Sequence, residues 1–325
     1  MDSVAYALAN SIELKDRGWR NMKPLPLARH KLTSSSINGK IYVLGGRRGY
    51  NNINYRRNDE YNPITDTWST KADMIYATYL TTSSVVGGKV YVLGGVTNLQ
   101  DYNRNQEYNP ETNTWTLKAN LPVNVYGLTS TVVDGKIYVI GGTLDNGSLS
   151  NRNDMYDPST DTWSTRSSMP TQRSELSSSV VDDMIYVMGG YTGSNTASSV
   201  NQQYNPITNL WSTKVSLSPG KMRMTTSAVG DKIYLIGGST TNSMSNADAE
   251  NRVYNTVTNF WSSDTPMTIK RQHLSSSVVD GKIYVIGGIT FNMSGDDIER
   301  SANEEFTPTS YIKGQKALLS WLSSN

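Results

Sequence analysis

Two histidines, His30 and His273, are the only imidazoles in the chain, and no cysteine accompanies them. An imidazole can ligate a metal or serve as a general base. The first role needs a carboxylate and further ligands, and the second needs a nucleophile within hydrogen-bonding reach. Serines are plentiful, but no spacing singles one out as a nucleophile. Two histidines at non-equivalent positions, with no thiolate to help, make a poor ligand set, so no metal and no cofactor are expected. The lack of cysteine also rules out a disulfide framework. The sequence contains no Walker loop, dinucleotide fingerprint, nucleophile elbow or Ca²⁺ loop.

Whatever positions these residues must be large: 325 residues can bury a substantial core, as two ordinary domains or as one repeat array. Charge is almost balanced, 30 Lys and Arg against 28 Asp and Glu, so no overall field gathers nucleic acid or an anionic membrane. No apolar run approaches the roughly 18 residues that a membrane span requires. Residues 1–12 lack both a basic start and a continuous apolar stretch, and they read as a leader segment ahead of the fold. The expectation is a monomer with neither a nucleic-acid partner nor a membrane span. An Asn-, Ser- and Thr-rich composition without cysteine suggests a bacterial secreted or cell-surface module, with the compartment otherwise open. The acceptor triplets at Asn146 and Asn292 are no more than chance supplies in such a chain.

Six apolar runs end in a glycine pair, beginning at Gly45, Gly94, Gly141, Gly189, Gly237 and Gly287, at intervals of 49, 47, 48, 48 and 50 residues. After five of them an aromatic is followed seven residues later by tryptophan: Tyr61 and Trp68, Tyr108 and Trp115, Tyr156 and Trp163, Tyr204 and Trp211, Tyr254 and Trp261. Each unit reads as four short strands. One hairpin turns at Asn38-Gly39, a favoured two-residue pair, and a tight Pro- and Asx-rich turn separates tyrosine from tryptophan. Four antiparallel strands per repeat are the unit of a propeller blade.

The strand ending in Gly-Gly, the Tyr-Asn-Pro or Tyr-Asp-Pro step and the tryptophan resemble the kelch-repeat family, over residues 13–311. Tyr254 followed by Asn-Thr, and Phe306 in place of tyrosine, depart mildly from the pattern. The resemblance implies an all-β, six-bladed β-propeller, with residues 312–325 as a tail. Each internal tryptophan precedes the next glycine pair by 26 residues, and so does Trp19, whereas nothing replaces the missing tryptophan after Phe306. The N-terminal strand around Trp19 should therefore complete blade six and leave no free edge. On that reading Trp19→Ala costs about 3–5 kcal/mol, while Trp321 tolerates the same change.

Length varies only between the glycine pair and the aromatic, so these loops, which emerge on one face, are the candidate binding surface. Three successive Ser or Thr residues begin each inner strand, from Thr33, Ser34 and Ser35 to Ser275, Ser276 and Ser277. They read as packing for a crowded strand, with a hydroxyl-lined ligand channel as the alternative. Asn58, Asn105, Asn153, Asn201, Asn251 and Asn303 read as structural amides bonding loop backbone.

Ahead of the hydroxyl triplets the repeats differ: His30 and Lys31, Tyr79 and Leu80, Tyr126 and Gly127, Ser174 and Glu175, Met222 and Arg223, Gln272 and His273. These pairs should ring the channel mouth. In peptide-binding kelch domains, basic side chains here contact the ligand, and the resemblance gives that role to Lys31 and Arg223. Blade one adds Arg47, Arg48, Arg56, Arg57, Tyr50 and Tyr55, and blade six adds Phe291, Asp296, Asp297 and Glu299. A basic loop beside an acidic one could hold a zwitterionic peptide or a polar glycan, or the two loops could simply pair with each other. The kelch-type copper oxidases need a cysteine-linked tyrosine, which this chain cannot make. Sugar mutarotases of this fold need only a carboxylate and a cation at the mouth, for which Glu175 with Arg173 or Arg223 would serve. The leading expectation is a non-enzymatic module binding peptide, protein or glycan, and the alternative is a mutarotase- or epimerase-like enzyme.

Overall fold

Ile41, Val43 and Leu44 are fully buried on both sides of one strand, as befits a strand covered on each face by a neighbouring sheet. In this computed structural model, which describes residues 18–49, 53–97, 101–291 and 297–308, each such strand is the second of an antiparallel four. Blade one runs Thr33–Ile37, Lys40–Leu44, Asn58–Asn62 and Thr67–Thr70. The innermost strands close a ring, with Thr33–Ile37 packing on both Thr82–Val86 and Ser275–Val279. Blade six takes its fourth strand from the N-terminal side: Gly18–Asn21 pairs with Asn303–Thr307, with Trp19 opposite Phe306. The molecule is a six-bladed β-propeller. Tyr50, Asn292, Asp296, Trp321 and the segments 1–12 and 312–325 lie outside the described residues.

The repeated residues hold blade to blade. The N–H of Gly46 donates to Thr78 O of the next blade, and the equivalent bond recurs at every junction to Gly288, which donates to Arg29 O. A Cβ on Gly45 would lie 2.5 Å from Thr78 O, so the close approach itself demands glycine. At the outer rim, the Trp115 indole donates to Ala72 O, and the N–H of Ala72 donates to Asn113 Oδ1, which also accepts the Tyr108 hydroxyl. The same clamp joins Lys23 to Asp66 and Trp68, Ala119 to Asp161 and Trp163, Ser167 to Asn209 and Trp211, and Val215 to Asn259 and Trp261.

Blade six has no turn between its third and fourth strands, because the chain leaves at Thr307 and begins again at Gly18. Among the described residues, no Asp or Asn then stands where a ring hydroxyl at this position would bond. Phenylalanine at 306 is the consequence. The six amides, Asn58 to Asn303, donate to the loop carbonyls of their own outer rim, with Asn303 reaching Lys23 O at 3.3 Å. The hydroxyl triplets bond across junctions: Ser83 meets both Thr33 and Ser35 at 2.7 Å, and Ser34 meets Ser275 and Ser277 at 2.9 Å.

Candidate ligand-binding site

Between one blade's outer strand and the next blade's inner strand, the chain passes through a left-handed residue: Lys31, Leu80, Gly127, Glu175, Arg223 and His273, with φ between 50° and 63°. For the five that carry a Cβ this conformation costs of order 1–3 kcal/mol each. A closed circle of backbone hydrogen bonds offsets it. Lys31 donates to His273 O (2.9 Å), Leu80 to Lys31 O (3.0 Å), Gly127 to Leu80 O (2.8 Å), Glu175 to Gly127 O (2.7 Å), Arg223 to Glu175 O (3.0 Å) and His273 to Arg223 O (2.8 Å). These six residues border the mouth, a cavity of about 130 Å³ floored by the first hydroxyls of the inner strands.

The first member of each pair is placed differently. His30 bridges Arg47, Tyr79 pairs with Val96, Tyr126 with Thr143, Ser174 with Tyr191, Met222 with Ser239 and Gln272 with Ile289. His30, Ser174, Met222 and Gln272 are buried, and Tyr79 and Tyr126 are half-buried. Only the second members share the rim.

On the side nearest the chain's closure, the Arg47 guanidinium lies 4.8 Å and the Lys31 ammonium 5.7 Å from the centre of the Tyr79 ring. Arg48 is exposed on a two-residue hairpin with Ile53–Asn54, Arg56 is exposed, and Arg57 turns instead to Asp59 of its own blade at 2.6 Å. Phe291 is half-buried in the hairpin of blade six, opposite Asp297. His30 and His273 face each other across the closure, with ring centroids 6.2 Å apart. Burial, reinforced by Lys31 and Arg47, pushes His30 down to about 3. Burial likewise holds His273 well below its ordinary value, with Lys31 and Arg223 adding to the effect. Both rings are therefore neutral at pH 7.

Across the mouth, the loops of blades three to five enclose a basin of about 360 Å³ between Tyr126 and Tyr191. Its wall is polar and tightly tied. Arg223 Nε donates to Glu175 Oε2 at 2.7 Å, Arg223 Nη2 to Asn242 Oδ1 at 2.6 Å, and Arg223 Nη1 to Gln272 Oε1 at 3.3 Å. His273 Nε2 stands 3.8 Å from Glu175 Oε1. Tyr102 packs edge-on against Tyr126 at 5.7 Å, and burial, with Tyr102, Tyr79 and Glu175 nearby, raises the Tyr126 hydroxyl.

Of the carboxylate–cation set, Glu175 and Arg223 come together and Arg173 does not. Arg173 is wholly buried, donating to Gly189 O at 2.7 Å, Val200 O at 3.1 Å and Gln202 Oε1 at 2.7 Å. Burial pushes it down to about 10. It belongs to a structural set that the sequence reading missed, of Arg29, Arg173, Lys221 and Arg271, each sixteen residues before a glycine pair. Arg29 and Arg271 meet the buried carboxylates Asp59 and Glu304, and Lys221 meets Asp248 and Glu250. Aligning the repeats at that column would have exposed the set. Tyr102, Tyr191 and Asn242 were also missed, and they lie in loops with no common register.

The architecture and its repeated clamps define a propeller built from kelch motifs. A family model described as the KLHDC2/KLHL20/DRC7 Kelch-repeats domain matches residues 80–288, and the Kelch motif matches residues 28–75. The chain belongs to the kelch-repeat family, whose domains generally act as protein-interaction modules. No curated protein matches it. Among solved structures, one titled "Structure of YjhT" superposes with a TM-score of 0.74 at 15% identity, covering 86% of this chain and 95% of that one, a likeness of fold.

Proposed function

We propose that the chain is a recognition module that binds a peptide, protein or glycan at the face carrying the variable loops, with the basin and the channel mouth as its specific site. The observation that carries this reading is the Glu175–Arg223–Asn242 fan set between Tyr126 and Tyr191. Glu175 and Arg223 line both the basin and the mouth, so the two form one continuous surface. Planar polar groups that fix one another lose little freedom when a ligand arrives, and flanking aromatics supply contact area at low entropic cost. Lys31 and Arg47 over Tyr79 extend the surface toward the closure. The test is binding to peptide and glycan arrays, with Tyr191→Ala and Asn242→Ala as probes. Ligands retained by the native chain should be lost by both variants. Retention unaffected by either, or no retention at all by folded protein, would overturn the proposal.

A second reading has one observation in its favour: a carboxylate and a guanidinium 2.7 Å apart in a cavity wall. Glu175 as acid and base, with Arg223 beside it, would make a mutarotase- or epimerase-like site. Anomer exchange followed by NMR on several reducing sugars separates the two readings. Acceleration abolished by Glu175→Gln would displace the binding-only reading.

A further inference from the structure

The turns between third and fourth strands repeat around the outer rim, so their exposed positions can be compared blade by blade. Blade one has a single apolar residue there, Ile64, 87% exposed, beside Thr67, while blade two has Glu111 and Thr114, and blade three Ser159 and Thr162. Blades four and five have Ile207 and Leu210, then Val257 and Phe260, exposed by 86, 67, 74 and 68%. Val215, the junction residue between these two blades, is also exposed. Single exposed apolar residues need no explanation, but a run of them on adjacent blades marks a surface that something covers. Glu60, Glu107 and Glu305 in blades one, two and six each bind a lysine, whereas the matching positions in blades three, four and five are Met155, Gln203 and Val253, so blades four and five combine the loss of that ion pair with two apolar turn residues each.

Blade five's own geometry points to the occupant. Trp261 reaches back to Val215 O of blade four, so Phe260, the preceding residue of the same strand, projects to the opposite side, facing blade six. There, at the level where blades one to five carry a turn, the third strand of blade six ends at Thr307. The turn that covers the outer rim of every other preceding blade is replaced at this junction by the chain's exit. The N–H of Thr265, which a turn side chain would otherwise take, bonds Asp264 instead. The seventeen residues that follow, 309–325, include Ile312, Leu318, Leu319, Trp321 and Leu322, with Lys313 and Lys316 as their only charged side chains.

We propose that residues 309–325 dock on the apolar outer rim of blades five and four, covering Phe260 and Val257 and extending toward Leu210 and Ile207. Reach is not limiting. Packed sheets stand about 10 Å apart and splay outward from there, and the segment spans ~55 Å extended or ~25 Å as a helix. The interface is independent of the mouth and of what the mouth binds.

Because the chain has no cysteine, engineered thiols report contact cleanly. Full-length chains carrying Leu318→Cys with either Phe260→Cys or Thr162→Cys are treated with a short bismaleimide and resolved on a denaturing gel. The expected result is an intramolecular crosslink in the first pair and none in the second. Equal crosslinking of both pairs, only intermolecular dimers, or no crosslink although both thiols react singly would each overturn the proposal. A separate measurement is uptake of a hydrophobic dye. Deleting 309–325 should raise it, and adding Leu210→Ser with Phe260→Ser should bring it back down. No rise on deletion would also overturn the proposal.

Discussion

Trp19 lies against Phe306 with ring centroids 5.0 Å apart, the contact that Trp115 makes with Tyr108 at 4.9 Å inside a continuous blade. Two ends of the propeller are thereby joined by the device that each other blade uses internally. The Trp19 indole also donates to Thr265 O of blade five at 2.8 Å, as Trp68, Trp115, Trp163, Trp211 and Trp261 do to the blade before each.

The first prediction follows from how much of that ring is buried. Trp19 packs at the edge of the core between blades five and six and remains partly exposed. Trp19→Ala should therefore cost about 2–3 kcal/mol, below the range for a wholly buried aromatic. Trp115→Ala, with the same contacts, should cost about as much. Both are read as shifts in chemical-denaturation midpoint. A full loss for Trp115→Ala with none for Trp19→Ala would show that the N-terminal strand does not hold the ring closed.

A second prediction separates two buried arginines in equivalent positions. Arg271 meets Glu304, and both side chains are wholly buried, whereas Arg173 meets the neutral amide of Gln202. Removing one member of a buried pair strands the other charge, at about 3–5 kcal/mol. Losing a buried donor from an amide strands only a neutral acceptor, at about 1–3 kcal/mol. Arg271→Met should thus destabilise more than Arg173→Met, by thermal or urea unfolding. Restoring neutrality in Arg271→Met with Glu304→Gln should recover part of the loss, and equal costs for the two single variants would contradict this account.

These same arginines show where the sequence was legible. Glycine pairs, tyrosines and tryptophans could be read because each does one job in every blade, so repetition carried the signal. Even Phe306 fits once the missing turn is seen. Arg173 lies two residues from Glu175, so along the chain the two share their surroundings. The left-handed backbone at Glu175 breaks that inference by redirecting the chain: Glu175 borders the mouth and Arg173 is buried beneath it. Tyr191 and Asn242 come together only through loops of unequal length, where no repeat position exists to align. A surface made of differences between repeats leaves no periodic trace.

The last prediction concerns acid. His30 and His273 are both neutral in the folded chain, His30 until about pH 3. Unfolded, each takes a proton near its ordinary value of about 6.5. Below that pH the unfolded state binds more protons than the folded one, so stability rises with pH and falls as pH drops. Each histidine should remove about 1.4 kcal/mol per pH unit while it stays neutral in the fold. Carboxylates contribute their own loss further down. Glu60, for instance, is raised by burial but more than compensated by bonds from Tyr42 and Lys40, which leave it below the usual carboxylate range. The histidine window is therefore about pH 4.5 to 6.5. Urea midpoints measured across pH 5 to 8 should show a slope in that window for the native chain. It should be roughly halved in His30→Asn and nearly absent when His273→Asn is added. A slope unchanged by both substitutions would mean that the two imidazoles at the closure are not the buried neutral bases that the geometry makes them.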